Sequence, residues 1–185
     1  MSYEDLINLK AYLDTLPAVR SEAPPHELGL PFNLRRGLGL WHRLYGDGES
    51  FAPDPRASAE INRGAYLVQG PGHCTECHSS RNLIGGIVAE TEFAGAPNPA
   101  EEGTVPNITP SHDGIGEWSE EDIVYLLETG NLPDFHTIGG VMVPVQENTA
   151  RLTPDDRKAI AAYLKSLPPR PNAVAEAETA KDGDK

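Results

Sequence analysis

Basic residues are scarce in this chain. Fifteen Lys and Arg face twenty-eight Asp and Glu, for a net charge of −13, and that balance argues against nucleic acid as a partner. Between residues 82 and 150 there is no Lys or Arg, while the same stretch holds twelve acids. Long apolar runs are also missing: nothing approaches the ~18–20 residues of a membrane span, so the chain has no transmembrane segment of its own. Cysteine is limited to Cys74 and Cys77, which excludes a disulfide framework built on more cysteines at wider spacings. What the chain has in excess is glycine and proline, 18 and 17 among 185 residues. That marks a loop-rich chain, still below the ~25–30% of low-complexity sequence. With 38% apolar residues it can form a core, and its length fits one domain or slightly more.

The two cysteines stand in Cys74-Thr75-Glu76-Cys77-His78. C-x-x-C-H is the attachment signal for c-type haem. Each thiol adds to one haem vinyl group, and the histidine that follows lies under the iron as its proximal ligand. A redox C-x-x-C is expected near a βαβ pattern, which is not visible. A structural zinc site needs four ligands. Here His73 and His78 would have to join Cys74 and Cys77, and ligands so close in sequence would strain a tetrahedron.

Helix signals frame the motif. A first helix is expected over roughly Ser58 to Gly70, with Ile61, Ala65 and Val68 on one face and Gly70-Pro71-Gly72 as its break. A loop from Asn82 to Trp118 follows. A second helix starts at Ser119 with three acids in its first turn, where the macrodipole favours them, and Gly130 is placed to end it. The stretch from Asn131 to Leu152 reads as a loop. The last helix starts at Thr153 with Pro154 at its first position and stops before Pro168. No strand pattern stands out.

The N-terminal segment Ser2 to Pro17 is also helical in pattern, with Ser2 and Asp5 as a capping pair. Shifted by 151 positions it falls on the last helix: Ala11 on Ala162, Tyr12 on Tyr163, Leu13 on Leu164, Leu16 on Leu167 and Pro17 on Pro168. This reads as an internal repeat. Residues 1–17 are therefore taken as the terminal helix of a truncated upstream domain of the same kind, against the alternative of an unrelated amphipathic helix. Residues 18–56 read as a linker bounded by prolines, with an apolar island from Leu28 to Tyr45 expected to pack on the haem domain or on the missing one. Residues 57–168 form the haem domain, and residues 169–185 a disordered tail. The start shows no export signal, although this type of haem attachment takes place outside the cytoplasm. A missing upstream half accounts for that, and the expected location is periplasmic.

The haem needs a sixth ligand or an open position. Met142 precedes the last helix, in a loop that can drape over the distal face. A gap-filling core methionine is the alternative, and His73, His112 and His136 compete as ligands. Met ligation raises the reduction potential and suits electron transfer.

Residues 62–168 resemble the class I cytochrome c domains of the dihaem and trihaem subunits of bacterial membrane-bound dehydrogenases acting on alcohols, aldehydes or sugar acids. The motifs are Arg63-Gly64-Ala65-Tyr66-Leu67-Val68, Gly72-His73-Cys74-Thr75-Glu76-Cys77-His78 with Ser79 to Asn82, Val105-Pro106-Asn107-Ile108-Thr109-Pro110, Gly114-Ile115-Gly116-Glu117-Trp118-Ser119, and the final helix. The resemblance implies an all-α, loop-rich domain with little or no sheet, wrapped around one covalent haem c. It implies that the Pro106 carbonyl accepts a hydrogen bond from the His78 ring, that Asn107 and Thr109 hold the distal loop, and that Arg81 and Trp118 contact haem propionates. Gly64 and Tyr66 against Tyr163 and Leu164 would form a helix crossing.

The expected function is one-electron transfer by a His78/Met142-ligated haem held by Cys74 and Cys77, with no substrate transformed. Electrons would pass from a dehydrogenase or other donor to a respiratory acceptor. The acids of residues 82–150 would steer a redox partner with a basic docking surface, such as a dehydrogenase subunit. A haem enzyme or sensor with a labile sixth ligand, taking peroxide, a sulfur compound or a gas, is the second reading. A domain that never receives haem and stays unfolded is the third.

Overall fold

The computed structural model describes residues 1–31, 33–46, 48, 50–98 and 103–174. The chain divides into two compact units, Met1–Ala52 and Pro53–Lys185.

The first unit holds two helices. α1 (Tyr3–Leu13) is capped by Ser2, whose hydroxyl accepts the Asp5 N–H at 3.1 Å. α2 (Arg36–Tyr45) lies in the stretch read as a linker; it has no side-chain cap and no acid in its first turn. Its apolar residues Leu38, Trp41 and Tyr45 recur at helical spacing, and neither helix has a buried residue. The matched positions of α1 and the last helix differ in burial: Tyr12 and Leu13 are exposed, whereas Tyr163 and Leu164 are buried.

Among its described residues the second unit combines helices, long loops and one two-stranded antiparallel ladder. It runs α3 (Ala59–Gln69), α4 (Thr75–His78), a 3-10 turn (Ala89–Thr91), β1 (Ala96–Pro97), β2 (Thr104–Val105), α5 (Glu120–Thr129), α6 (Met142–Thr149) and α7 (Pro154–Ser166). It begins four residues earlier than the sequence indicates, because Asn62 of α3 holds Asp54 by two hydrogen bonds, at 2.7 and 2.9 Å.

The core is the crossing of α3 and α7. Leu67 and Val68 of one helix and Ala159, Ile160, Ala161 and Leu164 of the other are buried. Burial of each large aliphatic side chain contributes roughly 1.5–3 kcal/mol. Gly64 permits the approach: a Cβ there would lie 1.9 Å from the Ala159 carbonyl oxygen. Polar contacts fix the register at both ends. Arg63 pairs with Asp156 at 2.7 and 3.2 Å, and Gln69 donates to the Tyr163 hydroxyl at 2.5 Å. The Arg63 guanidinium holds the Asp156 carboxyl below its usual range.

The three main helices start where their caps indicate. Ser58, Ser119 and Thr153 each accept an N–H three residues on at 3.1 Å, and Gly130 ends α5 in the left-handed region, at φ 77°. Two segments differ from expectation. α6 forms inside the stretch read as a loop. Its Val-Met-Val-Pro-Val sequence argues against a helix by propensity, but Pro144 falls in the first turn, where its missing N–H has no intrahelical partner to lose. Contacts from outside the segment hold it: Thr149 donates to the Leu127 carbonyl at 2.8 Å, and Gln146 to that of Glu128 at 2.9 Å. These are carbonyls left open by the end of α5.

The second difference is at the C-terminal side. Residues 169–174, expected as the start of a disordered tail, are bound to the domain. Arg170 N–H donates to the Thr109 hydroxyl at 3.1 Å and Ala173 N–H to the Ala94 carbonyl at 3.0 Å. The rest of that expected tail lies outside the described residues. Among the described residues, no helix is long and apolar enough to cross a membrane.

Candidate functional site

The Cys-x-x-Cys-His segment hangs directly from the end of α3. Gly72 N–H donates to the Leu67 carbonyl at 2.8 Å and Cys74 N–H to that of Val68 at 3.0 Å. These two bonds turn the chain back into α4, where His78 N–H reaches the Cys74 carbonyl at 3.0 Å. One helical turn thus carries both thiols and the imidazole. Cys74 is half-buried, Cys77 is exposed, and both are free thiols. Burial pushes the Cys74 thiol up to about 11. It is a neutral thiol near pH 7, unlike the low-pKa thiolate of a redox C-x-x-C. Among the described residues no three His, Cys, Asp or Glu side chains are grouped to hold an ion, so the zinc reading lacks its further ligands.

The His78 ring is buried, and its Nδ1 lies 2.8 Å from the carbonyl oxygen of Pro106. A carbonyl only accepts, so Nδ1 carries the proton and Nε2 the lone pair. Burial pushes the His78 pKa down, and the Pro106 bond partly offsets it, which favours the neutral ring that a metal needs.

The Pro106 carbonyl is itself well placed. Val105 pairs with Ala96 in the β1–β2 ladder, Ile108 N–H donates to the Phe93 carbonyl at 2.9 Å, and Gly95 N–H donates to the His78 carbonyl at 2.9 Å. Gly95 has φ 91°, and a Cβ on it would lie 2.9 Å from the Val105 carbonyl oxygen. Only glycine fits there. Asn107 is buried; its Oδ1 accepts from the Thr109 N–H and hydroxyl, both at 2.8 Å, and its amide donates to the Arg170 carbonyl at 2.8 Å. Asn107 and Thr109 therefore clasp the C-terminal segment on the His78 side.

Met142 is the first residue of α6, half-buried. Its helix is held by Gln146 and Thr149, as described, and by Arg157 of α7. The buried Arg157 donates to the carbonyls of Ala150 and Leu152, at 3.1 and 2.6 Å, and to the Glu128 carboxylate at 3.1 Å. Of the competing histidines, His73 is exposed, His112 faces Glu117 at 3.5 Å, and His136 faces Asp134 at 3.0 Å.

Arg81 pairs with the Glu76 carboxylate and donates to the Gly85 carbonyl at 2.7 Å, so in this structure its contacts are with α4 and the following loop. Trp118 is half-buried. Its carbonyl, with those of Ile115 and Gly116, receives Lys165 Nζ at 2.7, 3.1 and 3.0 Å. Sequence reasoning missed Lys165, since backbone acceptors leave no side-chain signature.

This donor set fits a covalently attached haem. Cys74 and Cys77 would hold its vinyl carbons, His78 Nε2 its iron, and Met142 is the one thioether in the second unit. Such a group supplies reversible one-electron iron chemistry. The chain's own part is to keep the imidazole neutral and to hold its Nδ1 proton on Pro106.

Fold and motif together define a c-type cytochrome domain: the cytochrome c family matches residues 61–168, and the chain belongs to that family. Electron transfer by haem c is the function of that class. More particularly, the chain is similar to a protein named diheme cytochrome c-type from Cereibacter sphaeroides, at 46% identity over 165 residues, covering 89% of this chain and 54% of the relative. The cytochrome c subunit of alcohol dehydrogenase (quinone) of Gluconacetobacter polyoxogenes is 35% identical over 181 residues, covering 92% of this chain and 38% of the relative. The fructose dehydrogenase cytochrome subunit of Gluconobacter japonicus is 33% identical over 170 residues, covering 89% of this chain and 34% of the relative. The chain thus spans about half of the first relative and less of the other two.

Proposed function

We propose that this chain carries one haem c, bound through Cys74 and Cys77 and ligated by His78 and Met142. It relays single electrons in the periplasm from a dehydrogenase to a respiratory acceptor and transforms no substrate itself. The observation that carries the reading is the 2.8 Å contact of His78 Nδ1 with Pro106, which leaves Nε2 as the ligating nitrogen directly after the attachment cysteines. Relatives named as cytochrome subunits of dehydrogenases support a dehydrogenase as donor.

Met142→Ala tests the sixth ligand. The haem is expected to stay attached, the sulfur-to-iron absorption of the ferric form to disappear, and the potential to fall by more than the ~59 mV of a tenfold equilibrium change. An unchanged spectrum and potential would remove Met142 from the iron.

The partner carries a basic docking surface. Glu117, Glu120, Glu121, Glu128, Asp134 and Glu147 are all exposed, and residues 82–150 offer no cation of their own. Electron transfer to a lysine-rich soluble cytochrome c is expected to slow about tenfold between low and physiological ionic strength. A flat profile would refute electrostatic steering.

A further inference from the structure

We propose that residues 169–174 are a strap that sets the His78 side of the haem site, with Arg170 as positioning residue for the Pro106 carbonyl. The proposal rests on the reading that His78 binds the iron.

The strap begins where the core ends. α7 stops at Ser166, and no residue from 169 to 174 is buried, so these residues add little to the α3–α7 packing. They are held by polar contacts, and those converge on the two loops that flank Pro106. On one loop, Arg170 is held through its own main chain: its carbonyl accepts from Asn107 Nδ2 at 2.8 Å, and its N–H donates at 3.1 Å to the Thr109 hydroxyl, whose own proton goes to Asn107 Oδ1. On the other, its guanidinium donates to the carbonyls of Ala89 and Glu92, at 2.5 and 2.9 Å. Two further bonds extend the grip, from Asn172 N–H to Asp113 at 2.6 Å and from Ala173 N–H to the Ala94 carbonyl at 3.0 Å.

Asn107 follows Pro106 directly. The second loop leads into Gly95, whose N–H holds the His78 carbonyl. Arg170 therefore ties the acceptor of the His78 Nδ1–H bond to the segment that fixes His78 itself. A firm Nδ1–H···O=C bond makes an iron-bound imidazole a stronger donor, which favours ferric iron. Slackening the strap weakens that bond and favours ferrous iron. Loss of the guanidinium charge alone acts in the opposite direction, because a nearby cation disfavours the more positive ferric state.

The test uses the haem-loaded full chain, a variant ending at Pro169, and the full-length substitutions Thr109→Val and Arg170→Lys. Two quantities are read in each: the exchange rate of the His78 Nδ1 proton by NMR of the ferrous protein, and the reduction potential. In the shortened chain and in Thr109→Val, exchange is expected to accelerate at least tenfold. The ferrous-to-ferric ratio is expected to rise about threefold, an upward shift of roughly 28 mV at 59 mV per tenfold. Arg170→Lys, which keeps the main-chain clasp and a cationic donor, should stay near the unaltered chain in both. Should the shortened chain not fold, Thr109→Val carries the test alone. Unchanged proton exchange in Thr109→Val overturns the proposal, as does a downward potential shift without faster exchange, which would assign Arg170 a charge effect only. Failure of the underlying haem reading shows separately, as an unaltered chain that is colourless.

Discussion

Replacing Gly64 by Ala is expected to destabilise the second unit by about 3 kcal/mol or more, although Ala normally favours a helix by ~1 kcal/mol over Gly. The clash decides the sign. The new Cβ would sit 1.9 Å from the Ala159 carbonyl oxygen, 2.6 Å from the Ala159 carbonyl carbon and 2.6 Å from Tyr163 Cβ. Two of these atoms are helix backbone, so no rotamer change relieves the contact and α3 must move away from α7. That movement loosens the packing of Val68, Ile160 and Leu164, which are all buried, and pulls Gln69 from the Tyr163 hydroxyl. A domain of this size has a total stability of ~5–15 kcal/mol, so the loss is a large share of it. The denaturant midpoint of haem-loaded Gly64→Ala checks it, and a midpoint equal to or above that of the unaltered chain would show that the crossing is not tight.

The double substitution Cys74→Ser, Cys77→Ser is expected to abolish covalent haem altogether. Produced in a host that matures c-type cytochromes, the unaltered chain should keep its colour after acidified organic extraction, and neither thiol should react with an alkylating agent. The double variant should give up any haem to the solvent. Each single variant should retain one thioether, with Cys74→Ser the more disruptive to the fold, because Cys74 is the half-buried member of the pair and Ser would put a hydroxyl in its place. Two reactive thiols in the purified unaltered chain would end the haem reading and reopen the dithiol and zinc alternatives.

Much of the helical framework is legible in the sequence, and the reason is local. Ser58, Ser119 and Thr153 are caps whose bonds span three residues, and Gly130 and the Gly70-Pro71-Gly72 break act on their own neighbours. The attachment motif is equally compact, since all its chemistry fits on one turn. The contact of Pro106 with His78 spans 28 residues and is reachable only through family resemblance. α6 is hidden because its own residues argue against it and the end of α5 holds it in place. The Lys165 and Arg170 side chains are hidden for another reason: the acceptors of their charged groups are main-chain carbonyls, which every residue has. The apolar island of residues 28–45 is visible as composition, but its helix, α2, has no cap to announce it.

The segments that carry His78 and Met142 differ in how they are held. On the His78 side, a ladder, a glycine contact and the Arg170 clasp lock the loops together. On the Met142 side, α6 has no buried residue and depends on a few bonds from Gln146, Thr149 and Arg157. Segments with so little apolar burial open at a small fraction of the global unfolding free energy. The segment that carries Met142 is thus expected to exchange its amide protons sooner than the α3–α7 crossing does.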